Sequence, residues 1–209
     1  IEQIEASPKP PSVGELAQAI KQQHITLALQ PKMSLTTGAV VGAEALVRWE
    51  DPTRGTIYPD SFIPLAERSG LMVPLTWNIL DLSFAQLAKW DAQGLTLSIA
   101  VNVPAEFIKA ENMLSMFDTL CRKYPIDMTK VTLELTESVG VECLGYARHV
   151  LDELRKRGCK LALDDFGTGY SSLTQLYRLP FDELKIDRSF VSLIDSEPSA
   201  QAITLSIVE

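Results

Sequence analysis

Residues 40–49 read VVGAEALVRW, and the period at which that run is read decides the fold. As a strand, with side chains alternating between two faces, it puts Gly42, Glu44, Leu46 and Arg48 on one side. A carboxylate and a guanidinium therefore share a face of an otherwise apolar segment. Further β-type runs are ITLALQ (25–30), LTLSIAVNV (95–103), KVTLELTE (130–137), KLALDD (160–165) and ELKID (183–187). Between them the patterning predicts helices over 13–24, 60–68, 74–92, 105–123, 142–157 and 171–178. Gly94 and Gly158 stand where C-terminal caps belong, and Pro74 suits a first helical turn.

Strands separated mainly by helices predict an α/β fold with a parallel sheet, either doubly wound or closed as a (β/α)₈ barrel. The alternation separates the two. Asn102 shares a face with Ala100 and Ser98, Asp164 with Ala162, and Lys185 with Glu183 and Asp187, while Glu134 opposes Leu133 and Leu135. Five strands thus carry a polar group near the C-terminal end, on the face away from their large aliphatics. An open sheet is covered on both faces, where such groups would be costly to bury. In a barrel one face looks onto the axis, and sites assemble at the C-terminal rim. The barrel is the expected architecture.

With 209 residues, 46% of them apolar, the chain can bury one sizeable core. Its net charge of −8 excludes a broad cationic surface for nucleic acid. Cys121, Cys143 and Cys159 are odd in number and lack metal-ligand spacing, which fits a reducing cytosol. A cytoplasmic location is expected, with membrane tethering through other segments left open. The opening IEQIEASPKPPS reads as a Pro-bearing linker, residues 1–12, leading from an upstream domain into a domain over 13–209.

If Glu44, Asn102, Glu134 and Asp164 meet at the rim, each pair of carboxylates about 4 Å apart repels by about 4 kcal/mol at an effective dielectric near 20. Such a set needs a cation or raised pKa values. An all-oxygen ligand set suits Mg²⁺ or Mn²⁺ better than zinc. The two histidines, His24 and His149, lie outside the rim segments, which argues against a histidine-rich phosphoesterase. Asp165, beside Asp164, is placed to hold a second ion in a two-metal clamp, with Lys185 and Arg48 adding positive charge for a phosphodiester. Plainer readings exist for each residue alone: a solvated strand end for Glu44 or Asn102, a surface ion pair for Lys185 with Asp187, a helix cap for Glu137 with Ser138. The coincidence of four strand ends outweighs them.

The segments GAEALVRW, SIAVNV, LELTES, LALDDFGTGYSSL and LPFDELKIDRSFV, together with FIPLAERSGLM, resemble the EAL domain, the bacterial cyclic di-GMP phosphodiesterase module, from about Leu27 onward. The resemblance implies a modified (β/α)₈ barrel whose first strand is antiparallel, and hydrolysis of cyclic di-GMP to linear 5′-pGpG with two Mg²⁺ or Mn²⁺ ions. It implies Glu44, Asn102, Glu134 and Asp164 as ligands of the first metal, with Asp164 and Asp165 helping to hold the second. Lys185 would assist the nucleophilic water, Glu137 would brace the loop at 165–172, and Gln30, Leu46 and Arg48 would contact the nucleotide. It further implies a homodimer through the loop at 165–172 and the neighbouring helix, and an upstream sensory or receiver domain.

Two local departures are Lys32, where many members carry an aliphatic residue, and Pro104, where Ser is usual. The family pattern also continues past SIVE209 into a strand bearing AEGVE and a final strand. The expectation is therefore a barrel truncated after about six strands, with its second metal site incomplete and little hydrolysis by this piece alone. Two rival functions stand beside cleavage: a receptor that binds cyclic di-GMP without cutting it, and a metal-dependent barrel enzyme acting on a small phosphorylated metabolite.

Overall fold

The computed structural model describes residues 10–136, 144–167 and 176–208. Helix α1 (Val13–Lys21) opens on a capping box in which the Ser12 side chain accepts from the Glu15 N–H and Glu15 reaches back to Ser12. Ser12 thus belongs to the helix, while residues 1–9 of the expected linker lie outside the described residues. Strands β1 (Ile25–Met33) and β2 (Val40–Asp51) form an antiparallel hairpin that sets Gln30 opposite Glu44 and Lys32 opposite Gly42. The antiparallel first strand is as expected.

A short return strand, β3 (Gly55–Ile57), pairs with the end of β2. It was not foreseen, and it exists because Asp51 Oδ1 accepts from the backbone N–H groups of Thr53 and Arg54 at 2.9 Å and turns the chain. Helices α2 (Pro59–Ser69) and α3 (Met72–Ala92) lead to β4 (Ser98–Asn102). The single helix predicted over 105–123 is two, α4 (Ala105–Ile108) and α5 (Met113–Lys123), separated where Asn112 adopts a left-handed φ of 58°. Asn tolerates that conformation better than most residues.

The chain continues through β5 (Val131–Leu135), α6 (Leu144–Lys156), β6 (Lys160–Phe166) and β7 (Glu183–Ile186) to α7 (Arg188–Val191) and α8 (Pro198–Val208). Neither α7 nor α8 was predicted: one is a single turn, and PSAQAITLSIV has no polar face to betray a helical period. Of the helix expected over 171–178, only 176–178 are described, and they are helical.

The sheet order is β1-β2-β4-β5-β6-β7, with β2, β4, β5, β6 and β7 parallel. Their outward faces make the core: Ala43, Ala45, Val47 and Trp49 from β2, Ile99 and Val101, Val131, Leu133 and Leu135, then Leu161 and Leu163, are all buried against the helices. Phe62 meets Trp49 edge-on at 6.0 Å, and Phe117 meets Phe84 at 5.8 Å. Trp90 lies in the same core.

The inward faces show that the sheet is curled. Four strand spacings separate β2 from β7, about 19 Å in a flat sheet, yet Lys185 on β7 lies 3.3 Å from Glu44 on β2. Lys32 on β1 likewise comes within 3.7 Å of Glu183 on β7. Only an arc of a barrel brings these strands face to face.

Small inward residues let neighbouring strands approach. A Cβ on Gly42 would strike the Ser98 hydroxyl and lie 2.5 Å from the Ser98 carbonyl oxygen. Gly42→Ala is expected to lower stability by about 1–3 kcal/mol through overpacking, read as a fall in the thermal unfolding midpoint. An unchanged midpoint would show that β2 and β4 can separate freely there.

Candidate active site

The parallel register raises the polar groups in steps along the sheet. Glu44 is level with Ala100, Asn102 with Glu134, and Glu134 with Ala162, so Asp164 stands one inward position higher. This stagger is the shear of a curled sheet, and tilt of the strands returns the staggered residues to one mouth.

There the side chains meet. Asn102 Nδ2 donates to Glu44 Oε1 at 2.8 Å. The Lys185 ammonium donates to Glu134 Oε2 at 2.7 Å, to Asp164 Oδ2 at 2.9 Å and to Glu44 Oε2 at 3.3 Å. Lys185 therefore sits among three carboxylates from three other strands, and the surface ion pair with Asp187 does not form. Asp187 instead caps α7 by accepting from the Ser189 N–H at 2.9 Å.

The Glu134 side chain is fully buried, and burial pushes its carboxyl above the ordinary range while the bond from Lys185 opposes that rise. Burial works against the charge on Lys185, but its bonds to Glu134 and Asp164 win and hold its pKa above the usual lysine value. The stabilisation Lys185 contributes is accordingly full below about pH 10 and lost as the pH rises through that raised value.

Asp165 follows Asp164 in an irregular stretch of β6. Between Leu163 opposite Leu184 and Phe166 opposite Ile186, β6 carries two residues where β7 carries one. Asp165 sits in this bulge with φ 54°, its N–H donating to Asp164 Oδ1 at 2.9 Å. Regular alternation, which would send Asp165 to the face opposite Asp164, is broken there.

Gln30 is exposed on the inward side of β1, opposite Glu44. Leu46 lines a cavity of about 360 Å³ together with Asn102, Glu134, Ile63 and Met72. The Arg48 guanidinium donates to the Val47 carbonyl at 2.8 Å and lies 5.3 Å from the centroid of the Tyr58 ring. Glu137 and residues 168–172 of the expected dimer loop lie outside the described residues.

Lys32, a departure from the family pattern, lies 3.8 Å from Glu134 Oε1 and 3.7 Å from Glu183 Oε2. Carrying the alternation of β2 across the hairpin would have found it, because its partner Gly42 shares the face of Glu44.

Among the described residues the acidic side chains do not close into a cation cage by themselves, since Lys185 stands between them. The donors nonetheless fit a divalent cation. Glu134 Oε1 is buried without a hydrogen-bond partner, the donor atoms are all oxygen, and the carboxylates of Glu44, Glu134 and Asp164 outnumber the two ammoniums, Lys185 and Lys32, that reach them.

The fold and rim define a modified (β/α) barrel with an acidic, oxygen-rich mouth. The chain belongs to the EAL domain family: the model of that domain matches residues 13–209. It is 40% identical over 194 residues to cyclic di-GMP phosphodiesterase PA2567 of Pseudomonas aeruginosa, covering 92% of this chain and 33% of the relative. It is 39% identical to cyclic di-GMP phosphodiesterase PdeR of Escherichia coli, covering 92% of this chain and 29% of that one. The structure of the PaMucR phosphodiesterase in complex with c-di-GMP superposes with a TM-score of 0.86 at 36% identity, over 94% of this chain and 80% of the other. The chain spans about a third of the length of these two sequence relatives. Among the described residues no helix is long and apolar enough to cross a membrane.

Removing the central ammonium tests the electrostatics without any assay of activity. In the presence of a chelator, Lys185→Met should destabilise the protein by about 3 kcal/mol at neutral pH, because it leaves buried carboxylates uncompensated. The loss should shrink as acid neutralises them, and denaturant titrations at two pH values read both effects.

Proposed function

We propose that this chain is the catalytic module of a metal-dependent phosphodiesterase that hydrolyses cyclic di-GMP to linear 5′-pGpG. The observation that carries the reading is the convergence of Glu44, Glu134 and Asp164 on the Lys185 ammonium at the mouth, with Asn102 bonded to Glu44 and Asp165 in the adjoining bulge. Kinship with cyclic di-GMP phosphodiesterases supports it. No expected ligand among the described residues is replaced, which favours cleavage over a receptor that only binds.

Glu44, Asn102, Glu134 and Asp164 would hold one Mg²⁺ or Mn²⁺, and Asp164 with Asp165 would help hold a second. Bound there, the ions would supply Lewis acidity toward the phosphodiester and lower the pKa of the attacking water. Lys185 would assist the attacking water and offset charge that builds on the phosphate. Gln30, Leu46 and Arg48 contact the nucleotide, Leu46 offering an apolar face and Arg48 a fork for a phosphate oxygen. By the same reading Glu137 would brace the loop at 165–172.

A homodimer through that loop and its neighbouring helix, and an upstream sensory or receiver domain, belong to the same reading. The greater length of the relatives supports the upstream domain. A cytoplasmic location is favoured by the free thiols of Cys121 and Cys159.

The test is product analysis on the full-length protein with cyclic di-GMP and Mn²⁺ or Mg²⁺. Linear 5′-pGpG should form, a chelator should stop it, and Glu44→Ala should lower turnover by at least about 10²-fold. Unaltered cleavage by Glu44→Ala would refute the assignment. Binding of the cyclic dinucleotide without any cleavage would favour the receptor.

A further inference from the structure

The bulge that carries Asp165 is followed by a glycine against which an aromatic ring is packed. Gly167, two residues beyond Asp165, has φ 104°, and a Cβ built on it would lie 2.5 Å from Cε2 and 2.9 Å from Cζ of Phe190. The Phe190 ring is therefore seated on the Gly167 backbone. A side chain at residue 167 would be excluded twice, by its backbone angle and by the ring.

Phe190 reaches this position by a short, well-tied route. Ile186 pairs with Phe166, the Asp187 N–H approaches the Phe166 carbonyl at 3.5 Å, and Asp187 caps the single turn of α7 through the Ser189 N–H. The Phe190 N–H in turn donates to the Asp187 carbonyl at 3.2 Å. One continuous piece of chain, residues 183–190, thus carries both Lys185, which grips Asp164, and Phe190, which covers Gly167. Asp165 lies between these two holds, in a left-handed conformation that a non-glycine residue keeps only when its surroundings enforce it.

We propose that Phe190 is a positioning residue: its ring on Gly167 fixes the bulge that keeps Asp164 and Asp165 at the same mouth. The proposal rests on the reading above of Asp165 as a metal ligand. It concerns how that carboxylate is placed. Supporting groups behind a metal ligand commonly change affinity by about 10- to 100-fold when removed.

The experiment is Mn²⁺ binding by calorimetry on the full-length protein, comparing wild type, Phe190→Ala, Phe190→Leu, Asp165→Asn and the Phe190→Ala/Asp165→Asn double variant. Phe190→Ala should weaken Mn²⁺ binding about 10-fold, and the double variant should bind no worse than Asp165→Asn alone, because both changes act through one carboxylate. Phe190→Leu keeps apolar bulk but not the flat ring, so it should show part of the loss and keeps the test decisive if Phe190→Ala does not fold. The Gly167 Hα resonances, shifted by the ring in the wild type, should move toward ordinary values in each variant.

Wild-type Mn²⁺ affinity in the Phe190 variants would overturn the proposal, as would a loss fully additive to that of Asp165→Asn. A wild-type protein that binds no Mn²⁺ would instead sink the metal reading itself, so the two failures are distinguishable.

Discussion

Four charged side chains from four strands meet within hydrogen-bonding distance at one mouth of the sheet: the Lys185 ammonium and the carboxylates of Glu44, Glu134 and Asp164. Carboxylates brought this close repel one another by several kcal/mol per pair in a partly buried setting, and Lys185, with Lys32 beside Glu134 and the Asn102 amide on Glu44, makes their company tolerable. The meeting is possible only if β2 and β7 face each other across an axis. The outward aliphatics of the strands, packed on helices, supply the burial that holds that curl. Stability and chemistry thus occupy opposite faces of the same strands.

Much of this was legible in the sequence, for a simple reason. Strand alternation is a strict period, so a polar residue at the end of an apolar run declares which face it shares and with whom. Glu44, Asn102, Glu134, Asp164 and Lys185 were placed correctly on that ground alone. Antiparallel pairing of the first strand was not legible that way and came only with the family resemblance. The split of the 105–123 helix at Asn112 and the single turn of α7 escaped because each is decided by a few local hydrogen bonds that leave no periodic trace. Lys32 was missed because the alternation was followed along β2 and not carried across the hairpin to β1, although the pairing fixes both faces together.

The bulge at Asp164 and Asp165 is where sequence rules had to fail. A regular β6 would be the cheaper strand: it would keep its ladder with β7 and spare Asp165 a left-handed backbone, although Asp, like Asn, adopts that conformation more readily than most residues. It would also divide the two carboxylates between opposite faces. Local departures of this kind persist at functional sites when the surrounding structure over-determines them. Here the Phe166 and Ile186 pairing above the bulge and the Leu163 and Leu184 pairing below it leave the extra residue nowhere else to go. Two neighbouring aspartates followed by phenylalanine and glycine in residues 164–167 therefore form one structural unit, whose irregular backbone interrupts the alternation that would separate the two carboxylates.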